Sequence, residues 1–248
     1  MIGIFITARL GSTRLPEKHL IEVNGKPFIK WLVERFSFAF EDFIRKNELK
    51  IFIVTSVKKE NVKFETVFNN NEVEIFYGSD GNIPLRHLEC SIKHNIDYII
   101  SIDGDDILCS TEAAKLVIER LLKGASMAQT FGLPLGMNIS GYSKLFLNAS
   151  LQRQDFQKLE TGWGKIFDNA EIDLINLENG KDLSKIRMTL DYLPDSDFFE
   201  KVITNIDVFN ISDKNLIEAI LKNNWNQINE QLNEIYWNNF NKLKQEEL

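Results

Sequence analysis

The sequence is poor in the residues that build disulfide frameworks and zinc sites. It contains two cysteines, Cys90 and Cys109, and three histidines among 248 residues. The cysteines do not have the spacing of metal ligands, and no cluster of histidines lies near them in the chain. Neither a disulfide framework nor a zinc site is therefore predicted. We expect both cysteines to be small buried apolar residues.

The sequence also lacks long apolar runs and an excess of basic charge. No segment approaches the roughly 18 consecutive apolar residues of a membrane span, and the N-terminus has no basic stretch followed by a cleavable apolar one. Lysine and arginine number 29 against 36 aspartates and glutamates, which gives a net charge of −7. Because nucleic-acid binding normally requires a basic surface, we predict no nucleic-acid partner. The lack of a long apolar segment likewise predicts no membrane partner. We expect a cytoplasmic protein.

The chain does contain enough apolar sequence for one sizeable core. Hydrophobic residues make up 44% of it, and no linker divides it, so we expect residues 1–248 to form a single domain. Periodicity weakens in residues 124–180, which we interpret as an insertion of short strands and helices that forms a lid or a dimer contact. Residues 212–248 have a helical pattern.

Strand and helix patterns alternate from the N-terminus onwards. Residues 2–6 predict a buried strand, and residues 28–43 have apolar side chains at helical spacing. Further strands are predicted at 51–54, 73–77, 98–102 and 186–190. This alternation predicts an α/β fold with a mostly parallel sheet. Right-handed crossovers would then bring the carboxyl ends of the strands to one edge.

The loop after the first predicted strand is rich in groups that bind phosphate. Residues 8–18 have the sequence A-R-L-G-S-T-R-L-P-E-K, with the cations Arg9, Arg14 and Lys18. The glycine and the proline disfavour a helix here. Backbone N–H groups, hydroxyls and positive charge in one loop suit a polyphosphate. The loop matches neither a Walker loop nor a dinucleotide fingerprint, and at this point the three cations could still be ordinary surface charges.

Aspartates follow two of the other predicted strands. Asp105 comes just after strand 98–102, and Asp191 follows strand 186–190 directly. Carboxylate oxygens are the ligands that Mg²⁺ prefers, so a magnesium site facing the basic loop is predicted. An ordinary Asp-rich turn at Asp105 and a capping role for Asp191 are the alternatives.

These residues resemble a known family. A-R-L-G-S-T-R-L-P-E-K is similar to the A-R-x-x-S-T-R-L-P-G-K signature of the cytidylyltransferases that activate acidic sugars, such as the acylneuraminate and CMP-Kdo synthetases and the spore-coat polysaccharide F-like proteins. S-I-D-G-D-D-I-L resembles the family's V-x-G-D-x-P-L-I, and T-L-D-Y-L-P-D-S-D resembles T-V-D-T-P-E-D-L-E. The looser similarity of G-S-D-G-N-I-P-L-R-H to G-S-E-x-D-V-L-x-R-Y favours the spore-coat-like branch.

The resemblance implies a Rossmann-like, three-layer fold of the nucleotide-diphospho-sugar transferase type. It also implies transfer of CMP from CTP to a small acidic sugar, with release of pyrophosphate, in surface polysaccharide biosynthesis. The implied cofactor is Mg²⁺, held by Asp105 and Asp191, and the implied assembly is a homodimer. The residues implied in nucleotide or substrate binding are Ala8, Arg9, Gly11, Ser12, Thr13, Arg14, Lys18, Arg86 and Asp103. Those implied in catalysis are Lys18, Arg9 and Asp105.

Several positions depart from the family pattern. Glu17 stands where the family has glycine, which affects backbone freedom more than chemistry. The other departures lie where the base and the acceptor would be recognised, and they are Asn82, Asp103, Ile107, Asn138 and Ser140. They leave open another nucleotide, a phosphorylated or phosphonate acceptor, or a catalytically silent binding partner in polysaccharide assembly.

Overall fold

Strands and helices alternate along most of the chain. The computed structural model describes residues 1–68, 73–153, 158–178, 180 and 182–246. Its strands are β1 (Ile2–Thr7), β2 (Glu22–Val23), β3 (Lys26–Pro27), β4 (Leu49–Ser56), β5 (Glu74–Gly78), β6 (Tyr98–Asp103), β7 (Met127–Phe131), β8 (Ser140–Ser143) and β9 (Ile172–Asn176). Its α-helices are α1 (Phe28–Ala39), α2 (Glu41–Arg45), α3 (Phe64–Val67), α4 (Ile83–Lys93), α5 (Thr111–Leu122), α6 (Lys144–Gln152), α7 (Leu193–Asn205), α8 (Asp213–Lys222) and α9 (Leu232–Glu246).

The central sheet is mostly parallel, as predicted. Within the described residues its strand order is β5-β4-β1-β6-β8-β7-β9. β1 pairs in parallel with β4 on one side and with β6 on the other, and only β8 runs antiparallel to its neighbours. The chain therefore changes direction across the sheet between β1 and β6, which is where ligands bind in open α/β sheets.

Helices cover both faces of the sheet and give a three-layer fold. Alternate residues of β1 point to opposite faces: Ile4 and Ile6 pack in the cluster that contains α1 and α5, while Phe5 packs in the cluster of α4 and α6. All three side chains are fully buried. A strand covered on both faces is apolar at every position rather than at alternate ones, which explains the unbroken apolar run at the N-terminus.

Residues 124–180 contribute strands to the central sheet. β7, β8 and β9 lie side by side beyond β6, and α6 packs on the sheet through buried Phe146 and Leu147. The prediction of short strands and helices is therefore confirmed for the described part of this segment. Its role as a lid or a dimer contact stays a prediction. Helix α5, just before it, was not predicted from the sequence.

The prediction of a strand at residues 186–190 is wrong. The segment is extended, but it makes only an isolated bridge between Arg187 and Leu135. Its backbone N–H groups donate to two different loops, Met188 to the Leu135 carbonyl and Leu190 to the Asp105 carbonyl, at 2.9 Å each. Because neither loop runs alongside it as a strand, no ladder forms. Its alternating apolar residues are nevertheless buried, in the cluster with α7 and α8.

Residues 212–246 are helical, as predicted, and Ser212 caps α8 by accepting a hydrogen bond from the Asn215 N–H. The helix pattern is interrupted by a 3-10 turn at Trp225–Ile228.

Cys90 and Cys109 are free and buried, as expected. Among the described residues, no helix is both long and apolar enough to span a membrane.

Candidate active site

Two loops meet at the carboxyl edge of the sheet, where β1 and β6 end. The Gly104 N–H donates to the Thr7 carbonyl at 2.8 Å. A Cβ on Gly104 would lie 2.8 Å from the Ala8 Cβ and 3.0 Å from the Thr7 carbonyl oxygen, so only glycine permits this approach. The loop after β6 is thereby held against the phosphate-binding loop predicted after β1.

Lys18 joins two aspartates from distant parts of the chain. Its Nζ lies 2.6 Å from Asp105 Oδ2 and 3.0 Å from Asp191 Oδ1. Burial of Lys18 opposes its charged form, but the two carboxylates raise the pKa of Lys18 above its ordinary value. Burial likewise opposes ionisation of Asp105, whereas the Lys18 ammonium holds the pKa of Asp105 below its ordinary value. An ionised lysine thus pairs with an ionised Asp105 and also contacts Asp191.

Arg14 lies beside the same aspartate. Its Nη2 is 2.7 Å from Asp191 Oδ1, and its guanidinium carbon lies 5.4 Å from the centre of the Tyr192 ring. Burial opposes the charged form of Arg14, but the carboxylate of Asp191 outweighs this effect. The pKa of Arg14 therefore lies above its ordinary value. About a third of the Arg14 side chain is exposed, so it can reach a ligand in the cleft.

Asp105 belongs to a compact acidic cluster. Asp103, Asp105 and Asp106 each offer a carboxylate oxygen within 4.8 Å of the others. Loss of hydration in the cleft, followed by the charge of Asp105, raises the pKa of Asp103 to about 7. The same two causes raise the pKa of Asp106 well above its ordinary value. The cluster carries the mutual repulsion that a bound cation relieves.

Arg9 and Arg86 lie near each other but are not paired with these aspartates. Arg9 Nη1 is 2.6 Å from Glu160 Oε1, and the charge of Glu160 also acts on Arg86. Arg86 is buried, and its Nε donates to the Ser79 carbonyl at 2.8 Å. Burial, as the largest cause, lowers the pKa of Arg86. The basic residues therefore form two groups, Lys18 with Arg14 and Arg9 with Arg86.

The remaining predicted loop residues differ in exposure. Gly11 and Thr13 are exposed and Ala8 is buried. The Ala8 N–H donates to the Val54 carbonyl at 3.4 Å, so it continues the pairing of β1 with β4. Ser12 Oγ accepts from the Leu15 N–H at 3.4 Å and thus shapes the loop.

A cavity of about 100 Å³ opens beside the acidic cluster. Asp103 and Asp106 line one side, and Asn138, Ser140 and Trp163 line the rest together with neighbouring residues. Asn138 is fixed, because its side chain bonds both the N–H and the carbonyl of Leu133. A larger open groove lies near the starts of β7 and β9, at the edge away from these aspartates.

Sequence reasoning missed two groups of residues here. Asp106 belongs to the acidic cluster, and the D-G-D-D run was the available signal. Arg187, Asp195 and Asn229 form a fully buried polar network around Asp191. Asp195 also caps α7, because its Oδ2 accepts a hydrogen bond from the Tyr192 N–H. Nothing in the local sequence indicates that Arg187 or Asn229 contacts the site.

The chain is similar to known proteins in sequence as well as in fold. The chain is 27% identical over 232 residues to an uncharacterized protein of Methanocaldococcus jannaschii, covering 90% of this chain and 91% of that one. It is 28% identical over 129 residues to the 3-deoxy-manno-octulosonate cytidylyltransferase of Bdellovibrio bacteriovorus, covering 49% of this chain and 44% of that one. The structure of a cytidylyltransferase from Leptospira borgpetersenii superposes with a TM-score of 0.78 at 23% identity, covering 91% of this chain and 95% of that one.

A sequence profile described as cytidylyltransferase matches residues 3–138. The match includes β1 with its basic loop, the Asp103–Asp106 cluster and the Asn138 turn. It covers more than half of the chain, and the remaining part supplies Asp191 to the same site. This protein belongs to the cytidylyltransferase family, whose members are enzymes of the nucleotidyltransferase type.

Proposed function

We propose that the protein transfers CMP from CTP to a small acidic sugar, releasing pyrophosphate, as a step in surface polysaccharide biosynthesis. The observation that carries this proposal is Lys18 Nζ between Asp105 and Asp191, with Arg14 alongside. Cations and carboxylates held together at the end of β1 suit a metal-bound triphosphate, because each charge there has a counterpart in the ligand.

Binding of the triphosphate falls to the loop after β1. Lys18 and Arg14 would neutralise phosphate oxygens from one side, and Arg9 would leave Glu160 to do so from the other. Gly11 and Thr13 are exposed, and their backbone N–H groups would add donors of the kind that cradle phosphates. Arg86, buried close to Arg9, supports that end of the cleft electrostatically.

The carboxylates fit Mg²⁺. The cluster offers only oxygen donors, three of them within 4.8 Å of one another, and Mg²⁺ uses one or two carboxylates together with substrate phosphates and water. Asp105 and Asp191 are the residues that would hold the ion. When bound, it would stabilise charge on the α-phosphate and favour deprotonation of the attacking hydroxyl.

The reaction is a displacement at the α-phosphorus. A hydroxyl oxygen of the acceptor forms a new bond to this phosphorus, the bond to the β-phosphate oxygen breaks, and the hydroxyl proton is released to solvent. Lys18 and Arg14 hold the triphosphate in line with the acceptor and stabilise the charge that develops on it. Positioning and electrostatics supply most of the acceleration in phosphoryl transfer.

The acceptor would bind in the cavity beside Asp103. Ser140 and Asn138 are polar groups along its wall, and Trp163 offers an aromatic edge. Polar side chains with one aromatic ring suit a hydroxylated ring. The name of the Bdellovibrio relative indicates an acidic sugar as its substrate, which supports the same class here. The homodimer and the involvement of residues 124–180 in it are part of this proposal.

Pyrophosphate release tests the proposed function. Purified protein is incubated with CTP, Mg²⁺ and a panel of acidic sugars, and the same panel is repeated with ATP, GTP and UTP. We expect release that requires both CTP and one of the acidic sugars. Release with another nucleotide, or only with a phosphorylated or phosphonate acceptor, would replace the proposed substrates, and no release with any pair would contradict the enzymatic role.

A further inference from the structure

A buried polar network contacts the carboxylate oxygen of Asp191 that Lys18 does not use. Arg187 Nη2 donates to Asp191 Oδ2 at 3.1 Å and to Asp195 Oδ2 at 3.2 Å, and Arg187 Nε donates to Asp195 Oδ1 at 2.9 Å. The forked guanidinium therefore ties the two carboxylates together. Lys18 and Arg14 both bond Asp191 Oδ1, so the two oxygens of Asp191 have separate partners.

The network also fixes the backbone of Asp191. Asp195 Oδ2 accepts hydrogen bonds from the N–H groups of Asp191 and Tyr192, each at 2.9 Å. Asn229 Nδ2 donates to Asp195 Oδ1 at 2.9 Å and to the Arg187 carbonyl at 3.1 Å. Asp195 thus holds the main chain of Asp191 and Arg187 holds its side chain, while Asn229 fixes both of these residues.

The C-terminal helices enclose this network. Asn229 directly follows the 3-10 turn Trp225–Ile228, and Tyr236 of α9 places its ring centre 4.6 Å from the Arg187 guanidinium carbon. Arg187 Nη1 has no hydrogen-bond partner among the described residues, so the face of the Tyr236 ring is its compensation there. Arg187, Asp195 and Asn229 are each 0% exposed.

Stability alone is a weak reason for such an arrangement. Removing charged groups from water is costly, and a buried ion pair often stabilises a fold no better than apolar residues of similar volume would. What the network does supply is orientation, because it directs Asp191 Oδ2 inward and leaves Asp191 Oδ1 toward Lys18 and Arg14. Residues that orient a metal ligand in this way typically change metal affinity 10-fold to 100-fold when mutated.

We propose that Arg187, Asp195 and Asn229 are positioning residues that fix the orientation of Asp191 and let it bind the metal through Oδ1 alone. A single ligating oxygen per carboxylate suits the octahedral geometry of Mg²⁺. The proposal rests on the proposed function, since it takes Asp191 as a metal ligand. It assigns to residues 212–246 the task of supporting the active site from behind.

The test compares two buried asparagines of the same turn, Asn229 and Asn226. Asn229→Ala removes the bonds to Asp195 and Arg187. Asn226→Ala removes one side-chain bond, from Asn226 Nδ2 to Glu230 Oε2 at 2.7 Å, and leaves the network untouched. Mn²⁺ binding is measured for each protein by electron paramagnetic resonance in the presence of CTP, with thermal unfolding measured alongside.

We expect Asn229→Ala to weaken Mn²⁺ binding about 10-fold, and Asn226→Ala to leave it unchanged at a similar loss of thermal stability. Asp195→Asn should weaken it further, by up to about 100-fold. Its matched control is Asp213→Asn, another buried aspartate, which bonds Ser110 and faces Arg35. If Asp195→Asn does not fold, the asparagine pair decides.

The outcomes separate this inference from the proposed function. Wild-type protein that binds neither Mn²⁺ nor CTP contradicts the proposed function. Wild-type protein that binds both, while Asn229→Ala and any folded Asp195→Asn variant bind Mn²⁺ just as tightly, overturns the positioning role. Equal weakening in Asn226→Ala would overturn it too, because a general loss of stability would then account for the effect.

Discussion

Lys18 and Asp105 form an ion pair of 2.6 Å although they are 87 residues apart in the chain. The pKa of Lys18 lies above its ordinary value and the pKa of Asp105 lies below its ordinary value. Both shifts favour the charged form, so the pair is ionised at neutral pH. In this state lysine and aspartate satisfy each other. A ligand that carries both a cation and phosphates can take the place of each partner, because its cation pairs with Asp105 and its phosphates pair with Lys18.

Asp105→Asn should lower turnover by on the order of 10² or more, the loss typical of one preorganised electrostatic contact. The amide keeps the shape of the side chain but lacks the charge that binds the metal and Lys18. Pyrophosphate release measures the effect. Asp97→Asn is the control, because Asp97 is exposed and lies before β6, at the opposite edge of the sheet. Wild-type turnover in Asp105→Asn would exclude Asp105 as a metal ligand.

Arg14→Ala should chiefly raise the KM for CTP, because about a third of the Arg14 side chain is exposed beside Asp191 and it would contact phosphate oxygens. Steady-state kinetics with varied CTP measure this. Arg45→Ala is a suitable control, since Arg45 forms an exposed pair with Asp42 on α2. An unchanged KM would mean that Arg14 does not hold the triphosphate.

CTP with Mg²⁺ should stabilise the protein against heat more than ATP, GTP or UTP does. A ligand at 100 times its Kd adds ~2.7 kcal/mol to the free energy of unfolding. Thermal shift assays with the four nucleotides measure the order. Addition of EDTA should remove most of the CTP effect, because the carboxylate cluster would then face the triphosphate without a cation. Equal stabilisation by all four nucleotides would contradict selection of cytosine.

His87 should make the free energy of unfolding fall as the pH drops below about 6.5, while Asp103 and Asp106, whose pKa values are raised, act in the opposite direction. Burial, with a smaller contribution from Arg86, lowers the pKa of His87 to about 3. The ring is neutral when folded and bonds Thr7 Oγ1 and the Tyr142 hydroxyl. Between pH 3 and 6.5 the unfolded chain therefore binds the extra proton, and stability rises with pH by roughly 1.4 kcal/mol per unit for this group.

His87→Gln should lower the slope of stability against pH by roughly 1.4 kcal/mol per pH unit relative to the wild type. Both proteins keep the contribution of His19, whose pKa burial lowers to about 4, and the opposing contributions of Asp103 and Asp106. Urea unfolding at several pH values between 4 and 7 gives the slope directly. Parallel stability curves for the wild type and His87→Gln would show that His87 takes up no proton on unfolding.

Glu17 illustrates how a family difference acquires a structural reason. It stands where the similar signature has glycine, and its φ of 50° lies in the left-handed region that glycine adopts without strain. Its side chain forms an ion pair with Lys63. The sequence could indicate the departure. Only the folded backbone explains why glycine suits this position.

Local sequence was sufficient for the first part of the fold. Apolar runs such as Ile2–Ile6 and the helical pattern at 28–43 led to the correct order of β1, α1, β4, β5 and β6. Parallel pairing then brought the loop after β1 and the aspartates after β6 to one edge, as expected. The prediction of a strand at residues 186–190 failed because an alternating apolar pattern indicates an extended chain. It does not show whether a neighbouring strand exists to pair with it.

The sequence by itself determined the chemistry of this protein: a basic loop closing a buried strand, and aspartates that follow later segments. Their residue types, and the positions of the basic loop after β1 and of Asp105 after β6, are properties of the chain that can be read without contacts. The tertiary structure alone decided which charges meet, pairing Lys18 with both aspartates and Arg9 with Glu160. It also placed Asn229 behind Asp191. Such contacts join residues far apart in sequence, and they arise from packing of whole helices and loops, which no local pattern encodes.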